Sequence, residues 1–448
     1  MEQNGENNYY NNEYPNNGYG YQMSPGYPPQ SPEGQDNKQH GPMLALGILI
    51  GIVLTTMVVA GTFVGTKIYD MAKQKPATQT SASGEEAQSV VSSESLEKLE
   101  TIEQIIEQYY YKEEDVDVNA MIEGMYAGMV DSLGDPYSVY YTTEEWQALM
   151  QETAGVYGGI GAYLSLDTTT SLAKISGIIP NTPAEEAGLR ENDIIYMVDG
   201  ENIQGMELSE IVSRVKGEEG TIVHLTIVRE GETDYLEMDV TRREIEAPTV
   251  NYEMYDNGVG YIRITEFDDV TTDQFTEALA VIKGSNAKGL ILDLRSNPGG
   301  SLSVVVDIAR QILPKGLIVY TEDKNGQREE YTCDGENELQ IPLVVLVNGN
   351  SASAAEILSG AIKDYGTGTL IGTTTYGKGI VQRVLPLTDG TALKLTISAY
   401  YTPNGNNIHG TGIEPDIVCE FDSEAYYEDG VDNQLERAKE EIQKMIGQ

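Results

Sequence analysis

The spacing of apolar positions changes character repeatedly along this 448-residue chain, and each change marks a segment. Residues 43–66 (MLALGILIGIVLTTMVVAGTFVGT) carry no charge at all. A helix of that length rises roughly 36 Å, enough for a bilayer core with some tilt. The run is too long for a signal-peptide core and lacks a small-x-small cleavage site, so a retained single-pass anchor is expected. Leu96, Leu99, Ile102, Ile105 and Ile106 then recur at helical spacing, and a second apolar run spans 121–130. A turn follows at Leu133-Gly-Asp-Pro-Tyr-Ser138, and packing or dimerisation rather than chemistry is the role expected of this region. From residue 155 strands are expected at 162–166, 175–179 and 221–229, with a helix at 208–216. Between 244 and 420, apolar strands (258–264, 289–294, 316–321, 343–347, 370–373) alternate with helices (272–283, 302–313, 352–364). That alternation predicts an α/β domain with a mostly parallel sheet, continued by antiparallel strands near 382–386 and 392–400. A last helix is expected at 433–446.

The segments partition the chain into a tail (1–42), the anchor (43–66), a linker (67–95), a helical region (96–154), a small β domain (155–243), an α/β core (244–420) and a helical C-terminal region (421–448). The tail is rich in Asn, Tyr, Pro, Gly and Gln and has too few aliphatics to build a core, so it is expected to be disordered. With 71 acidic against 28 basic residues the net charge is −43, which repels phosphate backbones and excludes a nucleic-acid partner. Two cysteines, Cys333 and Cys419, offer no zinc-site spacing, and they are either one disulfide or two free thiols. No metal and no cofactor are expected. Two look-alikes are set aside. Ser95-Leu-Glu-Lys98 has the Ser-x-x-Lys spacing but no Lys-Thr-Gly partner. Asp115-Val-Asp-Val-Asn119 starts like a calcium loop, but Ala120 and Tyr126 stand where glycine and glutamate are required.

Candidate chemistry gathers in the core. Ser353 lies where the strand at 343–347 runs through Asn348-Gly-Asn350 into a helix. A helix start offers unpaired N–H groups and a positive dipole end, both suited to an oxyanion, and the Ala354 N–H is the natural first donor. A second would come from Gly299 or Gly300 in Leu294-Arg-Ser-Asn-Pro-Gly-Gly300, since Pro298 has no N–H. The bland reading is that Ser351 and Ser353 merely cap the helix. The chain has only three histidines, none in a stretch built for catalysis, which leaves lysine as the base for a nucleophilic serine. Lys378 is bracketed by Gly377 and Gly379 and must be held neutral, which burial favours. Gln382, four residues on, could orient a neutral amine without adding charge.

Residues 155–243 resemble a PDZ domain, the stretch from Pro183-Ala-Glu-Glu-Ala-Gly-Leu189 through Val198-Asp-Gly200 being its most specific marker. Gly158, Gly159, Ile160 and Gly161 are then the expected nest for a peptide carboxylate, beside a strand edge that accepts the peptide as an added strand. Several motifs in order resemble the carboxyl-terminal processing peptidases (tail-specific proteases, family S41). They are Leu133-Gly-Asp-Pro-Tyr137, Asp293-Leu-Arg-Ser-Asn-Pro-Gly-Gly300, Asn350-Ser-Ala-Ser-Ala-Ala-Glu356, Gly377-Lys-Gly-Ile-Val-Gln382 and the run from Tyr401 to Asp416. The resemblance implies a crotonase- or Clp-like core and a Ser–Lys dyad with a supporting glutamine, falling on Ser353, Lys378 and Gln382. It implies polypeptide substrates with unstructured C-termini, a PDZ domain that gates the site, and an extracytoplasmic protease body. That placement is opposed by Lys67, Lys73 and Lys75 after the anchor against Lys38 before it. A homodimer is a further expectation, through the 96–150 and 433–446 helices. The competing reading is a catalytically silent peptide-binding scaffold, and a small-substrate hydrolase is disfavoured by the missing Gly-x-Ser-x-Gly elbow.

Overall fold

The computed structural model describes residues 89–167 and 171–447. The expected tail, the anchor at 43–66 and most of the linker lie outside the described residues. No helix among the described residues is long and apolar enough to cross a membrane. The described residues up to Val116 belong to a unit of their own, containing helix α1 (Ser93–Tyr109). Its start is a capping box in which Ser92 and Ser95 exchange side-chain and backbone hydrogen bonds, so Ser95 has a purely structural task.

The second unit opens with α2 (Val118–Asp131), strand β1 (Val139–Tyr141) and α3 (Thr143–Ala154). A β domain follows: β2 (Val156–Gly159), β3 (Ala162–Asp167), β4 (Leu172–Ile178), α4 (Pro183–Glu186), β5 (Ile194–Val198), β6 (Glu201–Asn202), α5 (Leu208–Val215), β7 (Ile222–Val228), β8 (Leu236–Thr241) and β9 (Arg243–Glu246). Its sheet runs β3-β4-β5-β7-β8, so β3 is an edge strand. Ile175, Ile195, Ile203, Ile211, Leu225 and Ile227 are fully buried beneath it. The entry and exit strands β2 and β9 pair antiparallel, Val156 with Glu246 and Gly159 with Arg243. One two-stranded ribbon thus joins this domain to the rest.

The core comprises β10 (Val250–Met254), β11 (Val259–Ile264), α6 (Thr271–Gly284), β12 (Gly289–Asp293), α7 (Leu302–Ala309), β13 (Gly316–Asp323), β14 (Arg328–Cys333), β15 (Leu343–Val347), α8 (Ala354–Tyr365), β16 (Thr369–Gly372), β17 (Ile380–Pro386), β18 (Ala392–Tyr401), β19 (Ile417–Val418), α9 (Ser423–Asp429) and α10 (Asn433–Ile446). The parallel sheet is ordered β10-β11-β12-β15-β16-β19, with only the β10/β11 pair antiparallel. Strands β12 and β15 are buried at every position, which explains their unbroken apolar runs. Helices α6, α7 and α8 contribute to the large cluster over one face, and Ala438 and Ile442 of α10 pack on the other. A separate antiparallel sheet pairs β18 with β1, β13 and β17. Helix α7 stops at Ala309, short of the expected 313, and the chain reaches Pro314 through turns in which Ile312 and Leu313 N–H both donate to Ala309 O. Cys333 and Cys419 are both free thiols, which resolves the alternative left open by the sequence.

Candidate active site

Three adjacent parallel strands, β12, β15 and β16, send their C-terminal loops to one place. They deliver residues 294–301, 348–353 and 373–379 in turn. Ligand sites of open α/β sheets form where such loops converge. The loops are bonded to each other as well as to their strands. Ala352 N–H donates to Asn297 O (2.9 Å), Ser296 N–H to Asn348 Oδ1 (2.8 Å), and Tyr376 N–H to Ser351 O (3.0 Å).

Ser351 and Ser353 divide the roles that the sequence left open. The Ser351 hydroxyl is buried, donates to Leu294 O (2.8 Å) and accepts from Asn348 N–H (2.9 Å), which makes it a loop staple. Ser353 sits at the start of α8 with φ 53° and ψ −112°, a conformation that costs a non-glycine residue about 1–3 kcal/mol. In the first turn of the helix, three residues on, Glu356 Oε2 accepts the Ser353 N–H (2.9 Å). Gly299 lies directly against it, with φ +110°, and a Cβ there would come within 2.7 Å of Ser353 Cβ and 3.1 Å of Ala354 N. Only glycine fits that approach.

The structure brings Ser353 and Lys378 into one small region without a hydrogen bond between their side chains. What joins the two residues is Glu356, fully buried in the first turn of α8. One of its carboxylate oxygens accepts from the Ser353 N–H (2.9 Å) and the Lys378 N–H (2.9 Å). The other accepts from the Thr375 hydroxyl (2.6 Å) and the Gly377 N–H (2.7 Å). A buried carboxylate needs such donors, and four of them fix the serine and lysine backbones to one rigid group. In the sequence Glu356 is only the last residue of the Asn350–Glu356 motif, with no task of its own. Its Ser-x-x-Glu spacing signals a capping box, but nothing local reveals the donors from the 373–379 loop.

The Lys378 amine is half-buried and has no carboxylate within ion-pair distance among the described residues. Burial pushes it below the ordinary lysine value, and the positive charge of Lys394 adds to this, while Asp135 and Glu356 oppose it. Its Nζ lies 4.7 Å from the ring centre of Tyr137, which belongs to the 133–138 turn. That turn, expected only to pack or to dimerise, stands at the site. Gln382 occupies β17, and its Nε2 donates to Thr396 Oγ1 (3.3 Å) rather than to the amine.

Of the expected oxyanion donors, the Gly299 N–H is taken by Asn297 Oδ1 (2.8 Å). The Gly300 and Ala354 N–H groups have no backbone partner among the described residues. In the β domain, Gly158 is in β2 with its backbone against Gly217, whose N–H donates to Gly158 O (3.1 Å). Gly159 ends the same strand, opposite Arg243. The Ile160 side chain is buried in the domain core and its carbonyl accepts from Ala184 N–H (2.7 Å), while Gly161 (φ +80°) turns the chain into β3.

A small β domain carried on a two-stranded ribbon by an α/β core, with serine- and lysine-bearing loops meeting at the ends of its parallel strands, is the class of protein that fold and site define. Residues 258–419 match peptidase family S41, residues 174–229 the PDZ domain family, and residues 55–145 the N-terminal domain of the activating protease CtpB. The carboxy-terminal processing protease CtpA of Bacillus subtilis is 37% identical over 320 residues, covering 71% of this chain and 67% of that one. CtpB of the same organism is 33% identical over 365 residues, covering 80% and 74%. The carboxyl-terminal-processing protease of Synechocystis sp. is 38% identical over 296 residues, covering 65% and 69%. The chain belongs to the carboxy-terminal processing proteases of peptidase family S41.

Proposed function

We propose that this protein is a membrane-anchored serine endopeptidase that captures unstructured C-terminal tails through its PDZ domain and cleaves them through a Ser353–Lys378 dyad. The observation that carries this reading is the Glu356 carboxylate, which holds the backbone N–H groups of both residues. In the proposed reaction the neutral Lys378 amine takes the Ser353 proton as Oγ attacks the scissile carbonyl. The oxyanion is met by the Ala354 N–H and by Gly300, or by Gly299 once its N–H turns from Asn297. Collapse transfers the proton to the leaving amine and leaves an acyl-serine, which water, deprotonated by the same amine, hydrolyses. Gln382 supports the lysine from β17. A carboxylate in its place would hold the amine protonated.

The tail enters at the edge of β3, alongside α5, with its terminal carboxylate against Gly158–Gly161. The uncharged 43–66 run would fix the enzyme to a membrane with the protease body on the extracytoplasmic side. The test is cleavage of a protein bearing an unstructured apolar tail. Ser353→Ala and Lys378→Ala should each lower turnover by at least about a thousandfold while keeping the wild-type melting temperature. Turnover within tenfold of wild type in either variant refutes the dyad. A fluorophosphonate that labels wild type and spares Ser353→Ala separates an enzyme from a silent scaffold.

A further inference from the structure

The half-buried Lys378 amine has no ion-pair partner among the described residues, and something else must hold it. Both oxygens of the Glu356 carboxylate are already occupied by the four donors described above, and those of Asp135 by its own turn. The surface that meets the amine is the ring of Tyr137, 4.7 Å from Nζ to the ring centre. The ring is not there by chance contact, because the turn that carries it is fixed from both ends. Asp135 Oδ1 accepts from the Tyr137 N–H (3.0 Å), and its Oδ2 accepts from the Ser138 hydroxyl (2.6 Å). Ser138 Oγ in turn accepts from the Thr396 N–H (3.1 Å), and Val139 begins β1, which pairs with Lys394 on β18. The same β18 residue, Thr396, receives the Gln382 amide. The Tyr137 turn, Gln382 and Lys394 are therefore referenced to one strand.

We propose that Tyr137 is a positioning residue for Lys378, its ring face holding the amine in place of an ion-pair partner. The proposal rests on the dyad reading and deepens it. A carboxylate at that point would fix the lysine as a permanent cation, whereas a bare apolar wall would leave the amine unoriented. An aromatic face attracts an ammonium more weakly than an ion pair does, so it orients the amine without preventing its deprotonation. The amine meets the Tyr137 ring and feels the charges of Asp135 from the turn, Glu356 from α8 and Lys394 from β18. The Tyr137 phenol is pushed up to about 12 by its hydrogen bond with Tyr376 and by burial, so the ring stays neutral across the working range.

The test varies the ring's electrons while preserving its shape. In the full-length enzyme, Tyr137 is replaced by Phe and, by amber suppression, by pentafluorophenylalanine. The Lys378 titration is read by competitive acetylation and peptide mass spectrometry, which reports on the amine whether or not it is the catalytic base. The expected result is a similar titration midpoint for Tyr and Phe and a midpoint lower by about half a unit for the fluorinated ring, which no longer favours the charged form. In parallel, kcat on a tailed substrate falls about tenfold on fluorination with KM little changed, and Phe stays within threefold of wild type. A midpoint and kcat that are flat across the series overturn the role of the ring. A loss in Phe as large as in the fluorinated variant also overturns it, since the hydroxyl would then be the active feature. Wild-type turnover in Lys378→Ala would instead overturn the dyad, with the acetylation series still deciding the contact.

Discussion

At the scale of single residues the site depends on two groups whose tasks are set by contact. Glu356→Gln replaces an acceptor of four hydrogen bonds by an amide whose NH2 must face at least one backbone N–H. We expect a loss of about 2–4 kcal/mol in denaturant unfolding and at least a hundredfold in kcat, with little recovery in Glu356→Asp because the shorter side chain cannot span both loops. Gly299→Ala places a methyl group against Ser353 in a left-handed backbone. That variant should destabilise by about 1–3 kcal/mol and lose activity out of proportion to its stability, as read by comparing melting temperature with fluorophosphonate labelling.

At the scale of elements, the junctions carry the charges worth testing. Asp268 lies in the turn before α6, whose next residue, Asp269, donates its N–H to Thr153 O near the end of α3. Burial raises the Asp268 carboxyl to about 7, and Glu266, Glu152 and Asp269 add to the shift. A carboxyl raised in the fold contributes stability at low pH, and that contribution is lost as pH climbs from its unfolded value near 4 through about 7. Asp268→Asn should therefore raise the melting temperature most at pH 8, by less at pH 5, and leave it nearly unchanged below about pH 3.5. At the other end, Arg295 of the 294–301 loop bonds Asp293 at the end of β12, and both Asp432 and Gln434 at the start of α10. Burial alone would raise Asp293, but the Arg295 guanidinium outweighs it and holds the carboxyl below its usual range. This pair stabilises the fold above about pH 4 and fails as pH drops through the folded value, so acid unfolding should loosen the 294–301 loop and α10 together.

At the scale of the whole molecule, the β2/β9 ribbon makes the PDZ domain an insertion whose ends are paired neighbours. Excising 156–246 with a short glycine bridge should leave a folded core, and it separates capture from cleavage. If the domain gates the site, hydrolysis of a short peptide rises severalfold and preference for a free C-terminus disappears. A rate unchanged on both substrates removes the gating role.

The sequence alone determined the main helices and the buried strands of the core, because the periods of apolar positions are local properties of such elements, whereas the more exposed strands β1, β8, β10 and β14 carried no such signal. It also determined the candidate nucleophile, base and glycine loop, since the motifs carrying them lie in short, continuous stretches. The unbroken apolar runs at 289–294 and 343–347 already signalled a buried parallel sheet. What only the tertiary structure decided is everything made by convergence. Glu356 is one acidic residue in a helix until the 373–379 loop turns its N–H groups toward it. Tyr137 is a turn tyrosine until β1 pairs with β18 and sets its ring on Lys378. Both contacts join residues far apart in the chain, and no local period or spacing encodes which distant loops a folded sheet will bring together.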